Sequence, residues 1–465
     1  MTGIVACGAW IPARRLPLPL LAGKAAREDA PERALAWADE DALTMAVEAA
    51  RDCLRGRDRG DIDLLLFAST TGPFAEKQGA AIIAAALGLA PGVRTVDVGS
   101  SLRGGTQALL LALDAVRGGS VRAALVVATD CREGAPGSAL EANGGDAAAA
   151  LLVGSGETLV ELVDSASESA EIVDVWRRHG DRFVHAWEDR FVIAHGYLEP
   201  ARAAVRRLNE RGRFDTGVCD HLVLSAPDRR SHETLARVLG GVATVADPLF
   251  GSVGACGSAH ALLQLVALAE TAEPGASALL VNHGDGADAL GLRFRRKAEA
   301  RMTARLARRL PLTSPDQYRR ARELLVTEYA GNDFQGISAT VHRRERAEDL
   351  ALAGQRCACG HAQFPRERIC GACGVADRFT HEVFAERRGR LLTYTLDAFF
   401  PTPQPPTAVG VVQVDDGPRI YLQLTDLSAS EVKLGMALEF TFRRIHTVGG
   451  RPNYFWKCRP RGEAA

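Results

Sequence analysis

The chain has 465 residues, which is longer than one hydrophobic core usually supports, so two or three domains are expected. Its 56 lysines and arginines nearly balance 57 aspartates and glutamates, which argues against nucleic acid or an anionic membrane as a partner. The sequence shows neither a secretory leader pattern nor a run of about 18 apolar residues, and we therefore expect a cytoplasmic protein.

Two segments in residues 1–295 share one pattern of small residues, an apolar helix, a glycine-containing loop and an apolar strand. They are residues 104–130 and 256–285. Each follows another strand that leads into a helix, at residues 61–70 and 220–228. Continuous apolar strands are buried on both faces, so helices must cover the sheet. The sequence therefore predicts a duplicated α/β domain with a largely parallel sheet.

The next segment, residues 296–355, is polar and basic. Within it, Ser314 followed by Pro315 is typical of a helix start. A basic helical run is more often a solvated face than a nucleic-acid site. We therefore expect a helical connector between two domains.

The C-terminal part begins with four cysteines crowded into residues 356–378. They form a CxC and a CxxC separated by ten residues, and are Cys357, Cys359, Cys370 and Cys373. In a cytosolic chain such a cluster indicates metal rather than disulfides, and it predicts a zinc ribbon with a structural zinc ion. Residues 379–465 contain five short alternating strands separated by Pro/Gly-rich turns, which predicts a small OB-type β-barrel.

Several motifs resemble the thiolase superfamily, in the branch of 3-hydroxy-3-methylglutaryl-CoA synthase and ketoacyl synthase III. The similar segments are GIVACGAWIPARRLP, LRGGTQAL, ATDCREGAPGSALEANGGDAAAALLVG and NHGDGADA, all within residues 1–295. The tail resembles the zinc-ribbon/OB domain that accompanies thiolase-type enzymes. The resemblance implies a layered α/β/α/β/α fold, an acyl-CoA or acyl-carrier substrate and a homodimer.

The family's catalytic positions have no ionisable or amide side chain in this chain. In the family, a cysteine four residues before the threonine of LRGGTQAL attacks the thioester, and Leu102 occupies that position. The resemblance places the other family positions at Thr70, Ser225 and Ser252. Ser100 and Ser101 precede Leu102, but a serine nucleophile needs a base, and the family's histidine position is now a serine.

Three other residues are candidates for proton transfer. His283 lies in NHGDGADA, which lines the reaction centre in this family, and Asp285 follows two residues later. A histidine that titrates near neutrality can act as general acid or base, and a carboxylate can orient it. Tyr197 lies in the segment between the two halves, which covers the acyl tunnel in this family. The alternative for each is a packing or backbone-bonding role.

A basic patch in the predicted barrel is a candidate for CoA binding. Arginine forks suit phosphates and aromatic faces suit adenine. The candidate residues are Arg443, Arg444, Arg451 and Lys457. The alternative is the solvated rim of a barrel.

Two functions remain open from the sequence. The first is an enzyme that forms or cleaves a carbon–carbon bond of a CoA thioester by Claisen or aldol chemistry without the cysteine, with backbone N–H groups as an oxyanion hole. The second is a non-catalytic subunit that binds CoA and supports a cysteine-bearing thiolase-like partner. Loss of four family positions favours the second function, whereas the intact glycine framework and His283 favour the first, which we take as the prediction.

Overall fold

The structure is a computed structural model that describes residues 2–172, 174–187, 189–241, 243–324, 339–400, 402–448 and 451–461. Two compact units are present. The first consists of Met1–Ala36, Asp41–Ala84 and Leu89–Leu312, and the second of Trp37–Glu40, Ala85–Gly88 and Thr313–Ala465. Within the described ranges, no helix combines the length and the apolar character needed to span a membrane.

The first unit contains fifteen described strands and most of the helices. The strands are β1 (Thr2–Trp10), β2 (Arg14–Pro17), β3 (Glu32–Ala34), β4 (Ile62–Ala68), β5 (Arg94–Val98), β6 (Ala123–Asp130), β7 (Ala147–Ser155), β8 (Val160–Ser169), β9 (Val175–Trp176), β10 (His185–Ala186), β11 (His221–Leu224), β12 (Thr244–Val245), β13 (Ser277–His283), β14 (Gly286–Phe294) and β15 (Leu310–Pro311). The helices in this part of the chain are α1 (Ala42–Cys53), α2 (Gly79–Ala86), α3 (Gly104–Arg117), α4 (Ala139–Asn143), α5 (Asp189–Phe191), α6 (Glu199–Glu210), α7 (Arg229–Leu239), α8 (His260–Thr271) and α9 (Arg301–Ala307).

The main sheet of this unit is the predicted duplication. Its order is β12-β11-β13-β14-β8-β1-β7-β6-β4-β5, and the two five-stranded halves meet where Ile4 of β1 pairs with Val160 of β8. In each half two strand pairings are parallel and two are antiparallel, so one strand, β7 or β14, runs opposite to the other four. The prediction of a largely parallel sheet is therefore wrong for β7 and β14, which pair antiparallel with both of their neighbours. No crossover helix separates β13 from β14, so these neighbours pair antiparallel.

Helices cover both faces of the two halves, as a layered α/β/α/β/α fold requires. α1 packs on β1 and β7, and α6 packs on β8 and β14. Between the halves, α3 and α8 contact each other and the strands on either side. A Cβ on Gly105 would lie only 2.3 Å from the carbonyl oxygen of Ser258, so only glycine permits this approach at the start of α3.

The second unit contains a small sheet and a five-stranded barrel. Its helices are α10 (Pro315–Ala321) and α11 (Ala339–Ala351), and its strands are β16 (Ala353–Cys357), β17 (Ala362–Gln363), β18 (Phe379–Val383), β19 (Arg388–Asp397), β20 (Thr407–Val414), β21 (Arg419–Gln423), β22 (Ala437–Val448) and β23 (Arg451–Pro460). Ser314 caps α10 by accepting a hydrogen bond from the backbone N–H of Gln317, as predicted. The barrel order is β21-β20-β19-β22-β23, and a bridge between Leu424 and Cys458 nearly closes it. All five predicted barrel strands are present.

Candidate active site

The candidate site lies where the carboxyl ends of the parallel strands meet. The loops after β4 and β6 come from one half of the sheet, and those after β11 and β13 come from the other. The amino end of α3 reaches the same edge. Ligands of α/β sheets bind at the carboxyl ends of parallel strands, so this edge is the expected location of a site.

Leu102 lies in the turn before α3, directly against the loop that carries His283. A Cβ on Gly284 would lie 2.9 Å from the Leu102 Cβ, and Gly284 has a positive φ of 140°. Ser100 also has a left-handed φ of 68°, which is a strained conformation for a serine. Ser101 donates a hydrogen bond to the carbonyl of Gly284 at 3.3 Å rather than to a base. The tip of the turn is therefore hydrocarbon.

The structure brings three of the predicted site residues together: Tyr197, Ser225 and His283. The Nδ1 atom of His283 lies 2.9 Å from the Ser225 Oγ. The rings of Tyr197 and His283 meet edge to face with centroids 5.0 Å apart, and the Tyr197 hydroxyl donates to the carbonyl of Ser225 at 3.0 Å. Ser225 occupies the family's histidine position, so the imidazole comes from the neighbouring strand instead.

The environment keeps the His283 ring neutral at pH 7. Desolvation, and to a smaller extent the positive charge of Arg132, lower the pKa of His283 to about 4, against smaller opposing effects of Ser225 and Asp228. Burial also raises the pKa of Tyr197, whose hydroxyl proton is held by the Ser225 carbonyl. Sequence reasoning missed Arg132, although its position two residues after the apolar strand β6 was a usable signal.

Asp285, a predicted site residue, and His195, a histidine close to Tyr197 in the sequence, lie away from the His283 ring nitrogens. The side chain of Asp285 is exposed, and its carbonyl oxygen accepts a hydrogen bond from Arg103 at 3.0 Å. The ring partner of His283 is therefore Ser225 rather than the predicted orienting carboxylate. His195 is exposed and pairs with Glu199 at 2.9 Å, so it faces solvent.

The Thr70 position belongs to a hydrogen-bonded cluster around Asp130, which sequence reasoning also missed. Thr70 donates its backbone N–H to the Asp130 Oδ1 at 2.7 Å, and its carbonyl accepts a hydrogen bond from Arg177. On the other carboxylate oxygen, the backbone N–H of Ser258 donates at 2.7 Å. Asp130 is fully buried and connects loops from both halves.

Ser252 lines a cleft of about 720 Å³ in the first unit. The cleft is also lined by Asp29, Pro31, Arg229, His232, Glu233, Val245, Ala246, Asp247, Pro248, Phe250 and Gly251. His232 is 4% exposed, and its Nε2 has no hydrogen-bond partner in the described part of the chain. The rim mixes carboxylates with Arg229, so the cleft has no general preference for a strongly anionic group.

The second unit does not present the predicted arginine patch as a single surface. Arg443 is fully buried, with ion pairs to Asp426 at 2.8 Å and Glu40 at 3.5 Å, and Lys457 pairs with Asp39 at 2.8 Å. A phosphate at the barrel surface does not reach these two cations. The remaining members, Arg444 and Arg451, donate to the Ala38 carbonyl at 2.8 Å and contact the His342 ring at 2.9 Å.

The four cysteines of the ribbon form a cluster suited to a metal ion. Their Sγ atoms all lie within 4.8 Å of one another, and none of the four is in a disulfide. The Cys357–Cys373 and Cys359–Cys370 separations are 3.6 and 3.8 Å. A tetrahedron with Zn–S bonds of about 2.3 Å has edges of about 3.8 Å. The donor set therefore fits zinc, although the first knuckle is CxC rather than the CxxC usual in related ribbons.

Comparison with known proteins gives independent evidence on both parts of the chain. Residues 382–443 match the family described as the C-terminal OB-fold domain of ChsH2. A solved HMG-CoA synthase complexed with CoA is 18% identical with a TM-score of 0.63, over 72% of this chain and 95% of the other. A structure of MvaS in complex with 3-hydroxy-3-methylglutaryl coenzyme A is 22% identical with a TM-score of 0.62, over 71% of this chain and 94% of the other. These structures confirm the predicted thiolase-type fold.

The sequence relatives identify a family, whereas the solved structures identify the fold. The chain is 32% identical over 294 residues to the hydroxymethylglutaryl-CoA synthase of Thermococcus onnurineus (strain NA1), which covers 61% of this chain and 83% of the relative. The similarity also extends to the Pyrococcus horikoshii synthase, with 30% identity over 293 residues, 61% of this chain and 83% of the relative. The chain therefore belongs to the hydroxymethylglutaryl-CoA synthase family.

Proposed function

We propose that the chain forms or cleaves a carbon–carbon bond of a CoA thioester by aldol chemistry, without an acyl-enzyme at position 102. The observation that carries the proposal is the 2.9 Å contact between the His283 Nδ1 and the Ser225 Oγ. It places a neutral imidazole beside the family's histidine position. Leu102, which lies against the next residue Gly284, offers no nucleophile.

His283 supplies the proton transfer in this proposal. In the cleaving direction, its imidazole removes the hydroxyl proton of a β-hydroxyacyl-CoA. The Cα–Cβ bond electrons then pass to the thioester carbonyl as an enolate, and a carbonyl compound leaves. The imidazolium returns the proton to Cα, so acyl-CoA is released and the ring is neutral again. The forming direction is the reverse and needs no further reactant.

Tyr197 is better suited to holding the ring than to moving the proton. Its hydroxyl is buried and already donates to the Ser225 carbonyl at 3.0 Å. Its ring and the imidazole of His283 pack edge to face. Backbone N–H groups at the start of α3 are the proposed oxyanion hole, since the first N–H groups of a helix have no intrahelical partner.

The cleft that contains Ser252 is the proposed site for the pantetheine arm of CoA. Its rim includes Asp29, Glu233 and Asp247, which disfavour the diphosphate but tolerate the neutral amides of the arm. The unpartnered Nε2 of His232 can bond to one of those amides. Within the second unit, and independently of this cleft, Arg444 and Arg451 stay candidates for binding a phosphate group.

The test is to incubate the purified full chain with β-hydroxyacyl-CoAs, or with acyl-CoA and aldehyde pairs, and to follow the thioesters by mass spectrometry. We expect turnover with no mass added to the protein. In Leu102→Cys, a thiol at the amino end of α3 has a lowered pKa and should retain an acyl group. An adduct on the unmodified chain that maps to residues 100–102 would refute the proposal.

A non-catalytic partner role is the second candidate, and the absence of an ionisable side chain at all four family positions favours it. Under this alternative the pure chain converts none of the thioesters, but it raises the activity of a cysteine-bearing thiolase-like chain mixed with it. His283→Ala would leave that stimulation unchanged. The same assay therefore separates the two functions.

We also propose that the cysteine cluster holds a structural zinc ion. The residues are Cys357, Cys359, Cys370 and Cys373, and four thiolates leave no open position for catalysis. The purified chain should contain one zinc per chain by elemental analysis, and a chelator should lower the unfolding temperature of the second unit. Cys359→Ser should reproduce that loss, whereas Cys458→Ser, outside the cluster, should retain the metal.

The remaining proposal concerns assembly as a homodimer. Strand β5 is an edge of the ten-stranded sheet, and most of its residues are exposed. An exposed edge offers unpaired N–H and C=O groups to a second copy. Val96→Lys should then give a monomer by light scattering, whereas Val238→Lys, on the exposed face of α7, should not.

A further inference from the structure

A chain of buried hydrogen bonds connects the carboxylate of Asp288 to the ring of His283. Asp288 is fully buried and forms an ion pair with Arg103 at 3.2 Å. Its Oδ2 accepts a hydrogen bond from the Thr106 hydroxyl at 2.6 Å. Asn282, which lies between Thr106 and Ser225, continues the chain toward His283.

The direction of the first link follows from the chemistry of Asp288. An ion-paired carboxylate only accepts hydrogen bonds, so Thr106 uses its single hydroxyl proton as donor. The other acceptor in reach of that hydroxyl, the carbonyl of Arg103 at 3.1 Å, also cannot donate. Toward Asn282, the Thr106 oxygen is therefore an acceptor only.

The orientation of the Asn282 amide follows from that of Thr106. Its NH₂ group must face the Thr106 oxygen, which lies 3.1 Å away. A second acceptor, the carbonyl of Leu102 at 3.4 Å, lies on the same side of the amide. The amide oxygen of Asn282 therefore faces Ser225, at 2.6 Å from its Oγ. The hydrogen-bond network thus fixes which end of the amide points to each neighbour.

The last hydrogen bond of the chain determines which nitrogen of the His283 imidazole carries the proton. Two oxygens 2.6 Å apart need a hydrogen between them, so Ser225 donates its single hydroxyl proton to Asn282. The Ser225 oxygen then accepts at its other contacts, namely the His283 backbone N–H at 3.2 Å and the Nδ1 at 2.9 Å. Nδ1 must carry the ring proton.

We infer that Thr106, Asn282 and Ser225 are positioning residues that hold neutral His283 as its Nδ1–H tautomer, with an unprotonated Nε2 as the base. In the described part of the chain, no side chain hydrogen-bonds Nε2, so its lone pair is available to a substrate. The tautomer assignment goes beyond the proposed function. Only the role of Nε2 as the catalytic base rests on the proposed function. The tautomer itself is a property of the substrate-free protein.

The experiment is NMR of the full chain labelled with ¹⁵N-histidine at pH 7, in which ring couplings distinguish the two tautomers. The His283 signal is assigned as the one absent from His283→Gln. We expect the Nδ1–H pattern in the unmodified protein. An Nε2–H pattern, or protons on both nitrogens, would overturn the inference.

Two substitutions within the hydrogen-bond chain test the order of its links. In Asn282→Leu the Ser225 hydroxyl loses its acceptor and can donate into Nδ1, so the Nε2–H tautomer should dominate. In Ser225→Ala the Nδ1–H loses its described acceptor, so the Nε2–H tautomer should gain population. The Nδ1–H pattern persisting in both variants would overturn the inference, and Ser225→Ala decides the matter if Asn282→Leu does not fold.

Ser167→Ala is the matched control. Ser167 donates to the Asp288 Oδ1 at 2.7 Å but lies outside the chain that leads to His283. Its removal should leave the tautomer unchanged. If the unmodified chain shows the Nδ1–H tautomer but converts no thioester, the proposed function fails while this inference stands.

Discussion

The two halves of the duplicated sheet place different side chains at equivalent positions. Asp130 lies two residues beyond Ala128, the last residue of β6 that pairs with β4. His283 lies two residues beyond Val281, the last residue of β13 that pairs with β11. The fold therefore presents a carboxylate from one half and an imidazole from the other at the same edge.

The two side chains differ in how completely their hydrogen-bonding capacity is used. Asp130 accepts five hydrogen bonds, from the Ser69 and Thr71 hydroxyls, from the Thr70 backbone, and from both the backbone and the hydroxyl of Ser258. The His283 ring is bonded through Nδ1 alone in the described residues. A fully satisfied buried group stabilises the fold, whereas a group that reacts needs free capacity. The half that contains Asp130 therefore stabilises the site, and the half that contains His283 supplies the reactive group.

The largest expected effect is on turnover, from His283→Ala. Loss of a general base typically costs about 10²- to 10⁴-fold in rate, and we expect that loss in kcat with acyl-CoA substrates. The free energy of unfolding should change little, because the ring is only half-buried. His195→Ala, which removes an exposed histidine, should retain activity. Equal turnover by both variants would end the assignment of His283.

The next largest effect is on stability, from Asp130→Ala. The substitution leaves the buried backbone N–H group of Ser258 and the partly buried one of Thr70 without an acceptor. The free energy of unfolding should fall by roughly 3 kcal/mol or more, measured by urea denaturation. Asp114→Ala on the exposed face of α3 is the control and should cost less than about 0.5 kcal/mol. If Asp130→Ala lost activity without losing stability, the stabilising role of Asp130 would be contradicted.

A smaller effect is expected in the pH dependence of kcat/KM. The neutral imidazole is the active form, so the rate should be constant near pH 7 and fall as the pH drops through about 4. The charged and titratable groups acting on His283 include Arg132, Asp228 and His260. Arg132→Ala removes a positive charge and raises the pKa of His283, so the acid limb should move to higher pH. An unchanged limb would exclude His283 as the titrating group.

Much of the fold was predictable because its signals are local. The apolar strands and the paired glycines at the start of α3 indicate the duplication, the short alternating strands indicate the barrel, and the cysteine spacing indicates the cysteine cluster. The antiparallel strands were missed because β7 and β14 are as apolar as the parallel strands beside them. Burial on both faces produces the same sequence pattern in either direction.

The candidate site was only partly predictable, since its contacts join residues far apart in sequence. His283 was identified from its motif, but its contact with Ser225 spans 58 residues and no local pattern encodes it. Proximity in sequence favours Asp285 as the orienting group, yet the turn leaves its side chain exposed. The basic patch predicts Arg443 as a surface cation, but alternation along β22 turns its charge inward to Asp426.

The smallest predicted effect comes from removing one of several hydrogen bonds to Asp130, compared with removing the one described hydrogen bond to the His283 Nδ1. Thr71→Val removes one hydroxyl from the Asp130 cluster with little change in shape, and four other hydrogen bonds to the carboxylate remain. The variant should lose about 1 kcal/mol of unfolding free energy, measured by urea denaturation, and should keep the pH profile of the unmodified chain. Ser225→Ala removes one hydroxyl from the other half, where it is the described partner of the His283 Nδ1, and should alter the pH profile. If Thr71→Val moved the profile as far as Ser225→Ala does, the stabilising and reactive halves would not be separable.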